Sequence, residues 1–189
     1  MLVASRMAAA QFLREFDEDQ PLSLGIAPVA RNSQPRISEL AVRTLALTES
    51  IPALVKTLSE VNHEESLDAA IDGLRNWLGL SPENGKTLKE ELGKAFRSQD
   101  ADVIYRLLWG FSAEDAQNRD VSLQLVAHLE HDQLAVRELA FYYVYRFTGQ
   151  KFNYRAGLLP VRRSTVAAVR SFVEKHDGLS RKSVLKKTD

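Results

Sequence analysis

Apolar residues recur along most of this chain at spacings of three and four positions, which places them on one side of an α-helix. No segment alternates apolar and polar residues convincingly at the period of two that is typical of a β-strand. The pattern therefore predicts an all-α protein. Helices are predicted over residues 2–17, 37–48, 51–61, 64–79, 83–97, 101–110, 113–130, 133–148 and 160–176.

The two ends of the chain differ from this helical middle. Residues 20–35 contain three prolines and a glycine, which predicts a partly extended connector after the first helix. The short, basic end of the chain (LSRKSVLKKTD) predicts a disordered tail. The resulting segments are an N-terminal helix and connector (1–35), a helical array (36–178) and a tail (179–189). The candidates for the apolar side of the first helix are Leu2, Met7, Ala10, Leu13 and Phe16.

An internal repeat lies within the helical middle. Segments 54–79 and 125–149 carry similar residues at matching positions, with an offset of 71 residues at the start and 70 at the end. A third, partial copy begins at Ile37. A unit of about 30–35 residues accommodates all three copies, as two antiparallel helices whose apolar side is buried only by stacking on neighbouring units. The matched residues are Leu54, Val55, Leu58, Ala70, Leu74 and Gly79 in the first copy, and Leu125, Val126, Leu129, Ala140, Val144 and Gly149 in the second.

The second copy resembles a known repeat family. Asp132, Val136, Arg137 and Ala140, followed by an apolar run, resemble the first helix of a HEAT-like (armadillo-type) repeat. The resemblance implies an Asp–Arg ladder between adjacent units, with the valine and alanine packed on the second helix. It also implies a right-handed α–α superhelix, or solenoid, of antiparallel helical hairpins. The run VRELAFYYVYRFTG is also similar to helical-repeat segments of large, uncharacterised planctomycete-type bacterial proteins.

Composition narrows the possible functions. The chain has 189 residues and no cysteine, which excludes disulfides, thiol nucleophiles and cysteine-ligated metals and is compatible with the cytoplasm. Its 25 basic and 25 acidic residues leave no net charge that would favour a nucleic-acid or membrane partner. No apolar run approaches the roughly 20 residues that span a bilayer, so no membrane insertion is expected.

Two segments come close to sites for chemistry without meeting their requirements. Residues 79–87 (GLSPENGKT) have one residue too many for a phosphate-binding P-loop, and Pro82 removes a needed N–H donor. His128, His131 and Asp132 can share one helical face as metal ligands, but their spacing matches no zinc-protease signature, and a solvated turn is favoured. No catalytic residue, metal or cofactor is therefore predicted, and the chain is not expected to be an enzyme.

Aromatic residues concentrate between positions 141 and 154. In the predicted helix 133–148, Val136, Ala140, Tyr143 and Phe147 form the apolar seam, so the remaining rings point elsewhere. Two interpretations are possible. A second packed layer, such as the last helix, covers these rings, or the rings form a surface for a partner. The second interpretation predicts a partner-binding site, the aromatic patch, made of Tyr142, Tyr145, Arg146, Phe152, Tyr154 and Arg155.

The repeats and the aromatic patch together favour a non-catalytic protein–protein interaction or scaffold module, expected to be one part of a larger bacterial protein. The alternative is a HEAT-like nucleic-acid-binding protein related in architecture to alkylpurine-DNA glycosylases. From Arg146 onward the chain has 11 basic and 3 acidic residues, and such a region can contact a phosphate backbone. These basic residues can equally be solvated at the end of the helical array, so a protein partner is preferred over a nucleic acid.

Overall fold

The computed structural model describes residues 2–15, 19–61 and 63–180. Within these ranges the chain is helical and contains no β-strand, so the predicted all-α class is confirmed. The chain divides between Leu108 and Trp109 into two compact units, Met1–Leu108 (unit 1) and Trp109–Asp189 (unit 2). The sequence pattern does not predict this division.

Most of the described residues belong to α-helices. In unit 1 these are α1 (Leu2–Glu15), α2 (Leu22–Ile26), α3 (Pro35–Leu47), α4 (Ile51–Glu60), α5 (Glu64–Leu78), α6 (Asn84–Ala95) and α7 (Ser98–Trp109), whose last residue begins unit 2. Unit 2 continues with α8 (Arg119–His128), α9 (Leu134–Thr148) and α10 (Leu159–His176). Short 3-10 turns precede α3 and α8, at Val29–Arg31 and Asp115–Gln117. Among the described helices, none has both the length and the apolar character needed to cross a membrane.

The strongly periodic helices lie close to their predicted positions. The bounds of α4, α5, α9 and α10 each differ from the prediction by a single residue at one end. Gly149 ends α9 in the left-handed conformation, with φ of 67°, as glycine after a helix is expected to do. Gly79, which follows α5, instead keeps a right-handed helical conformation. Local sequence signals are therefore sufficient for these helices, although not for each of their ends.

The predicted start of α8 is wrong. Ser112 and Asp115 exchange hydrogen bonds of 2.8 and 3.1 Å between side chains and backbone N–H groups, the arrangement of a helix capping box. The turn that they close is a 3-10 turn, and the α-helix begins only at Arg119. Asn118 is the effective cap, because its side-chain oxygen accepts the N–H groups of the second and third helical residues.

The N-terminal region departs from the prediction in its details. The connector over residues 20–35 is predicted to be partly extended, and it also holds two short helical elements that the sequence pattern does not predict, α2 and the first 3-10 turn. Helix α1 contacts α3, yet Met7, Ala10 and Leu13 of its predicted apolar side are exposed. Ala8, Gln11 and Phe12 are half-buried instead. Apolar residues occur on several sides of α1, so the contact with α3 decides which side is covered. The side chain of Leu2 and the whole of Phe16 lie outside the described residues.

The core of unit 1 forms where α3, α4 and α5 pack against one another, with α6 joining through α4 and α5. Two buried serines link its first layers. The Ser38 hydroxyl donates to the carbonyl of Ala30 in the first 3-10 turn. Because the one hydrogen of the Ser38 hydroxyl is donated to Ala30, the Ser38 oxygen accepts a hydrogen bond from the Ser66 hydroxyl at 2.7 Å. These bonds satisfy buried polar groups that would otherwise destabilise the core.

The core of unit 2 forms where α8 packs against α9 and α10. The carbonyl of Ala116, in the second 3-10 turn, accepts the N–H groups of Leu179 and Ser180 at 2.9 and 3.0 Å. The side chain of Leu179 is fully buried. The first two residues of the predicted tail are therefore anchored to unit 2, and residues 181–189 lie outside the described part of the chain.

The internal repeat marks residues of the cores. Every matched apolar residue is buried in both copies: Leu54, Val55, Leu58, Ala70 and Leu74 in unit 1, and Leu125, Val126, Leu129, Ala140 and Val144 in unit 2. The first copy falls on α4 and α5, and the second on α8 and α9. The predicted burial of Ala140 is confirmed.

We expect Gly73→Ala to destabilise unit 1 by about 1–3 kcal/mol, because an added methyl group would lie 2.6 Å from the Cβ of Ala46 and force α3 away. Gly93→Ala is the matched control and should stabilise by about 0.5–1 kcal/mol, because nothing lies within 4 Å of its methyl group. Urea unfolding measures both changes. Adding Ala46→Gly to Gly73→Ala should restore part of the loss, and a double variant no more stable than Gly73→Ala would contradict this packing.

We expect Ala140→Glu to unfold unit 2, because it buries an unpaired carboxylate at a fully buried position, a change that costs several kcal/mol. Ala168→Glu makes the same substitution at an exposed position of α10 and should leave the melting temperature nearly unchanged. Thermal melts followed by circular dichroism compare the two variants. Equal melting temperatures would mean that the repeat alignment is wrong.

Candidate partner-binding surfaces

The structure separates the residues of the predicted aromatic patch by exposure. Tyr145, Arg146 and Arg155 are exposed, and 44% of the Tyr145 surface is accessible. Tyr142 is half-buried, with its ring edge-to-face on Tyr143 at 5.2 Å and its hydroxyl 3.5 Å from an Arg146 nitrogen.

Tyr154 belongs to the interior of unit 2, with only 5% of its surface exposed. Its ring stacks on Phe141 at a centroid distance of 4.5 Å. Its hydroxyl donates to the carbonyl of Leu129, at the end of α8, at 2.8 Å. The loop after α9 therefore folds back on its own unit, and the Tyr154 ring contributes to packing rather than to a surface.

Phe152 occupies a tight turn in the same loop. Phe152 and Asn153 both have positive φ, at 46° and 52°, and the N–H of Tyr154 closes the turn on the carbonyl of Lys151 at 3.0 Å. This conformation is uncommon for a phenylalanine and costs about 1–2 kcal/mol. The half-buried ring lies edge-to-face against Phe172 of α10 at 6.0 Å, which helps to hold it there.

Arg137 holds this loop in place from α9. Its guanidinium donates to the carbonyl of Ala156 at 3.0 Å and to the carbonyls of His131 and Asp132 at 2.6 Å each. The arginine that carries the repeat resemblance thus ties the turn before α9 to the loop after it. The part of the aromatic patch left for a partner is Tyr145, Arg146 and Arg155, with one side of Tyr142.

The two histidines before α9 form a ring pair. The rings of His128 and His131 lie edge-to-face with centroids 6.2 Å apart, and one His131 ring nitrogen accepts the N–H of Gln133. Partial burial, together with His131, lowers the pKa of His128. Within the part of the chain that the structure describes, no group of three or more histidine, aspartate or glutamate side chains is arranged to hold a metal ion.

A second surface lies in unit 1, between α3 and α5. It is an open groove of about 420 Å³, here called the α3–α5 groove. It runs along more than two turns of α5 and along the end of α3 and the turn that follows it. Its lining residues are Arg43, Ala46, Leu47, Glu49, Ala69, Asp72, Gly73, Asn76, Trp77 and Leu80.

Small residues bring the two helices together at this groove. A methyl group on Gly73 would lie only 2.6 Å from the Cβ of Ala46, so α3 and α5 approach too closely there for a larger side chain. Ala69, one turn earlier on α5, also lines the groove. The lack of bulk along these positions leaves a depression between the longer side chains at its edges.

Large apolar side chains border the groove and face solvent. Leu47 is 86% exposed and Leu80 is 69% exposed, while Trp77 is half-buried. Isolated exposed leucines are common on protein surfaces, but apolar side chains gathered around one depression are typical of interaction sites. Covering them would remove apolar surface from water, at about 25 cal/mol per Å².

Helix α5 carries four carboxylates, of which Asp72 lines the groove. Partial burial raises the pKa of the Asp68 carboxyl to about 6. Repulsion from neighbouring carboxylates adds to the rise, in the order Glu64, Asp72 and Glu65. Arg43, across the groove on α3, acts in the opposite direction. The negative charge on this helix is therefore incompletely neutralised within the chain.

Sequence analysis missed the α3–α5 groove. Leu47 and Leu80 lie at the ends of predicted helices, where apolar periodicity does not define a side. Gly73 is the one available signal, because a glycine inside a predicted helix often marks a close approach of backbone. That signal indicates packing, and by itself it does not locate an exposed groove.

We expect Asp68→Asn to stabilise unit 1 at pH 7.5 by about 1 kcal/mol, after allowance for solvent screening. The folded state raises the pKa of Asp68 from 3.8 to about 6, so ionisation opposes folding above about pH 6 and has no effect below pH 3.8. Thermal melts at pH 7.5 and below pH 3.8 measure this gain in stability, which should disappear at the lower pH. Asp102→Asn, at a carboxylate paired with Lys89 at 3.2 Å, should give no gain. A gain that persists below pH 3.8 would contradict the assignment.

Comparisons with protein-family models, with curated proteins and with solved structures found no match to this chain. Its function is therefore inferred from its own surfaces. The two candidates are the α3–α5 groove in unit 1 and the exposed part of the aromatic patch in unit 2.

Proposed function

We propose that this chain is a non-catalytic protein–protein interaction module built from HEAT-like helical hairpins, and that it binds its partner through the α3–α5 groove. The observation that carries the proposal is the groove itself, where exposed leucines border a depression between two closely packed helices. Exposed apolar patches rimmed by polar residues are typical of interaction sites.

The helix contacts in unit 1 support the hairpin architecture. Helix α3 packs on α4 and α5, and α4 packs on α5 and α6, so α3 and α4 each contact the next helix and the one after it. This is the contact pattern that stacked antiparallel hairpins produce. The shared buried positions of the two repeat copies are further support, because a repeat unit conserves the side that it buries.

A scaffold role inside the cytoplasm, as part of a larger bacterial protein, fits these properties. The sequence contains no cysteine, which suits a reducing compartment. A non-catalytic module also needs no group of residues arranged for chemistry, only a rigid support for its contact surface. The exposed part of the aromatic patch, around Tyr145 and Arg146, offers a second contact point, because tyrosine and arginine are common at the centres of interfaces.

The test compares a groove variant with a matched control in partner capture from a lysate of the source organism. The double variant Leu47→Ser and Leu80→Ser removes apolar surface at two exposed positions, so unit 1 should stay folded. Leu158→Ser makes the same change at an exposed leucine of unit 2. We expect the groove variant to capture at least one protein about tenfold less than the wild type does, whereas Leu158→Ser should capture that protein as well as the wild type. Quantitative mass spectrometry measures the captured amounts. Equal capture of every protein by all three would contradict the proposal.

A fluorescence-anisotropy titration with duplex DNA, at about 50 mM salt, tests the nucleic-acid alternative. We expect binding no tighter than the non-specific range of roughly 10⁻⁴–10⁻⁶ M. Tighter binding with a steep salt dependence would replace the protein partner with a nucleic acid.

A further inference from the structure

Resting on the proposed function, we propose that the occupant of the α3–α5 groove is an amphipathic helix of a partner protein, with lysine and arginine residues bordering its apolar side. Three features of the groove specify this occupant: its shape, its apolar edges and the sign of its charge. Each is carried by residues of unit 1.

The shape of the groove suits a helix. On α5 it is lined at Ala69, Asp72 and Asn76, which are spaced three and four residues apart along one side of the helix, and Leu80 follows in the turn after α5. From Ala69 to Trp77, at 1.5 Å per residue, the α5 side is about 12 Å long, a little over two turns of a docked helix. Helices bind in such grooves through apolar residues that recur at the same spacing.

The apolar edges of the groove determine which side chains the docked helix presents. Leu47 stands on the α3 side, and Trp77 and Leu80 stand on the α5 side, so apolar contacts are available on both walls. The small residues between them, Ala46 and Gly73, leave space for side chains that enter from outside. An occupant with leucine-sized residues on one side of a helix would fill this space and cover both edges.

The charge of the groove determines which residues border the apolar side of the docked helix. Two carboxylates line the groove, Asp72 on α5 and Glu49 in the turn after α3. Glu64, Glu65 and Asp68 lie earlier on α5 and outside this lining. The single cation among the residues that line the groove is Arg43, and its guanidinium already contacts a Glu39 oxygen at 2.9 Å. Arg75, the one cation of α5, does not line the groove. Basic residues on the partner would therefore meet two carboxylates, Asp72 and Glu49, and an arginine that is already paired.

A further observation agrees with this sign of charge. Partial burial and neighbouring carboxylates, Asp72 among them, raise the pKa of Asp68, one turn before Asp72 on α5, to about 6. A cation bound beside Asp72 would relieve part of this repulsion.

The experiment is a fluorescence-anisotropy titration of the full chain with a labelled helical peptide of about 14 residues, made of leucine and lysine, with the leucines along one side. We expect micromolar binding that weakens at least tenfold in the double variant Leu47→Ser and Leu80→Ser and is unchanged in Leu158→Ser. Asp72→Asn should weaken binding severalfold at about 50 mM salt and less at about 300 mM, because salt screens the lost attraction. Circular dichroism melts confirm that each variant is folded.

Two comparison peptides make the result specific. A peptide of the same composition, with its leucines scattered around the helix, tests the need for an apolar side. A peptide with glutamate in place of lysine tests the sign of the charge. We expect both to bind at least tenfold more weakly. Equal binding of the acidic peptide, or binding that is unaffected by the groove variant, would overturn the proposal.

Other occupants are distinguished by separate measurements. Analytical ultracentrifugation at about 50 μM should give a monomer, and a dimer that the groove variant abolishes would assign the groove to a second copy of this chain. If the peptide fails while groove-dependent capture of a partner persists, the basic helix is wrong and the interaction module stands. If groove-dependent capture also fails, the proposed function is wrong as well.

Discussion

The close approach of α3 to α5 is the constraint on which unit 1 depends. Ala46 and Gly73 meet with so little space that even one methyl group on the glycine would collide with the neighbouring helix. This contact sets the distance between two helices whose buried residues make up much of the core. It also forms the α3–α5 groove, because small residues that bring helices together leave a depression where their longer neighbours diverge. Packing and the candidate binding surface thus have one cause.

Hydrogen bonds to backbone carbonyls play a comparable part at the turns. In unit 1 the Ser38 hydroxyl reaches the carbonyl of the first 3-10 turn, and in unit 2 the carbonyl of Ala116 holds the residues that follow α10. Tyr154 and Arg137 do the same for the loop after α9. A buried carbonyl without a partner would be destabilising, so each of these bonds fixes a non-helical segment in one arrangement.

The two candidate surfaces differ in what they can contribute to binding. The aromatic patch loses Tyr154 to the core and much of Phe152 to a contact with α10, which leaves a small, mostly polar remainder around Tyr145. The α3–α5 groove combines exposed leucines with two lining carboxylates, Asp72 and Glu49. Burial of the leucines would supply affinity, and the carboxylates would select the charge of the partner. For this reason the groove is the stronger candidate.

Local sequence patterns were sufficient to predict the all-α class, the bounds of α4, α5, α9 and α10 to within a residue, the left-handed turn at Gly149 and the buried positions of the repeat. These features depend on local helix periodicity and on residues close in sequence. Tertiary structure decided the rest: that Met7 and Leu13 of α1 face solvent, that Tyr154 is buried, and that Leu47 and Leu80 border a groove. Periodicity identifies the apolar side of a helix, but whether a given residue is covered depends on helices distant in sequence, which the local pattern does not encode.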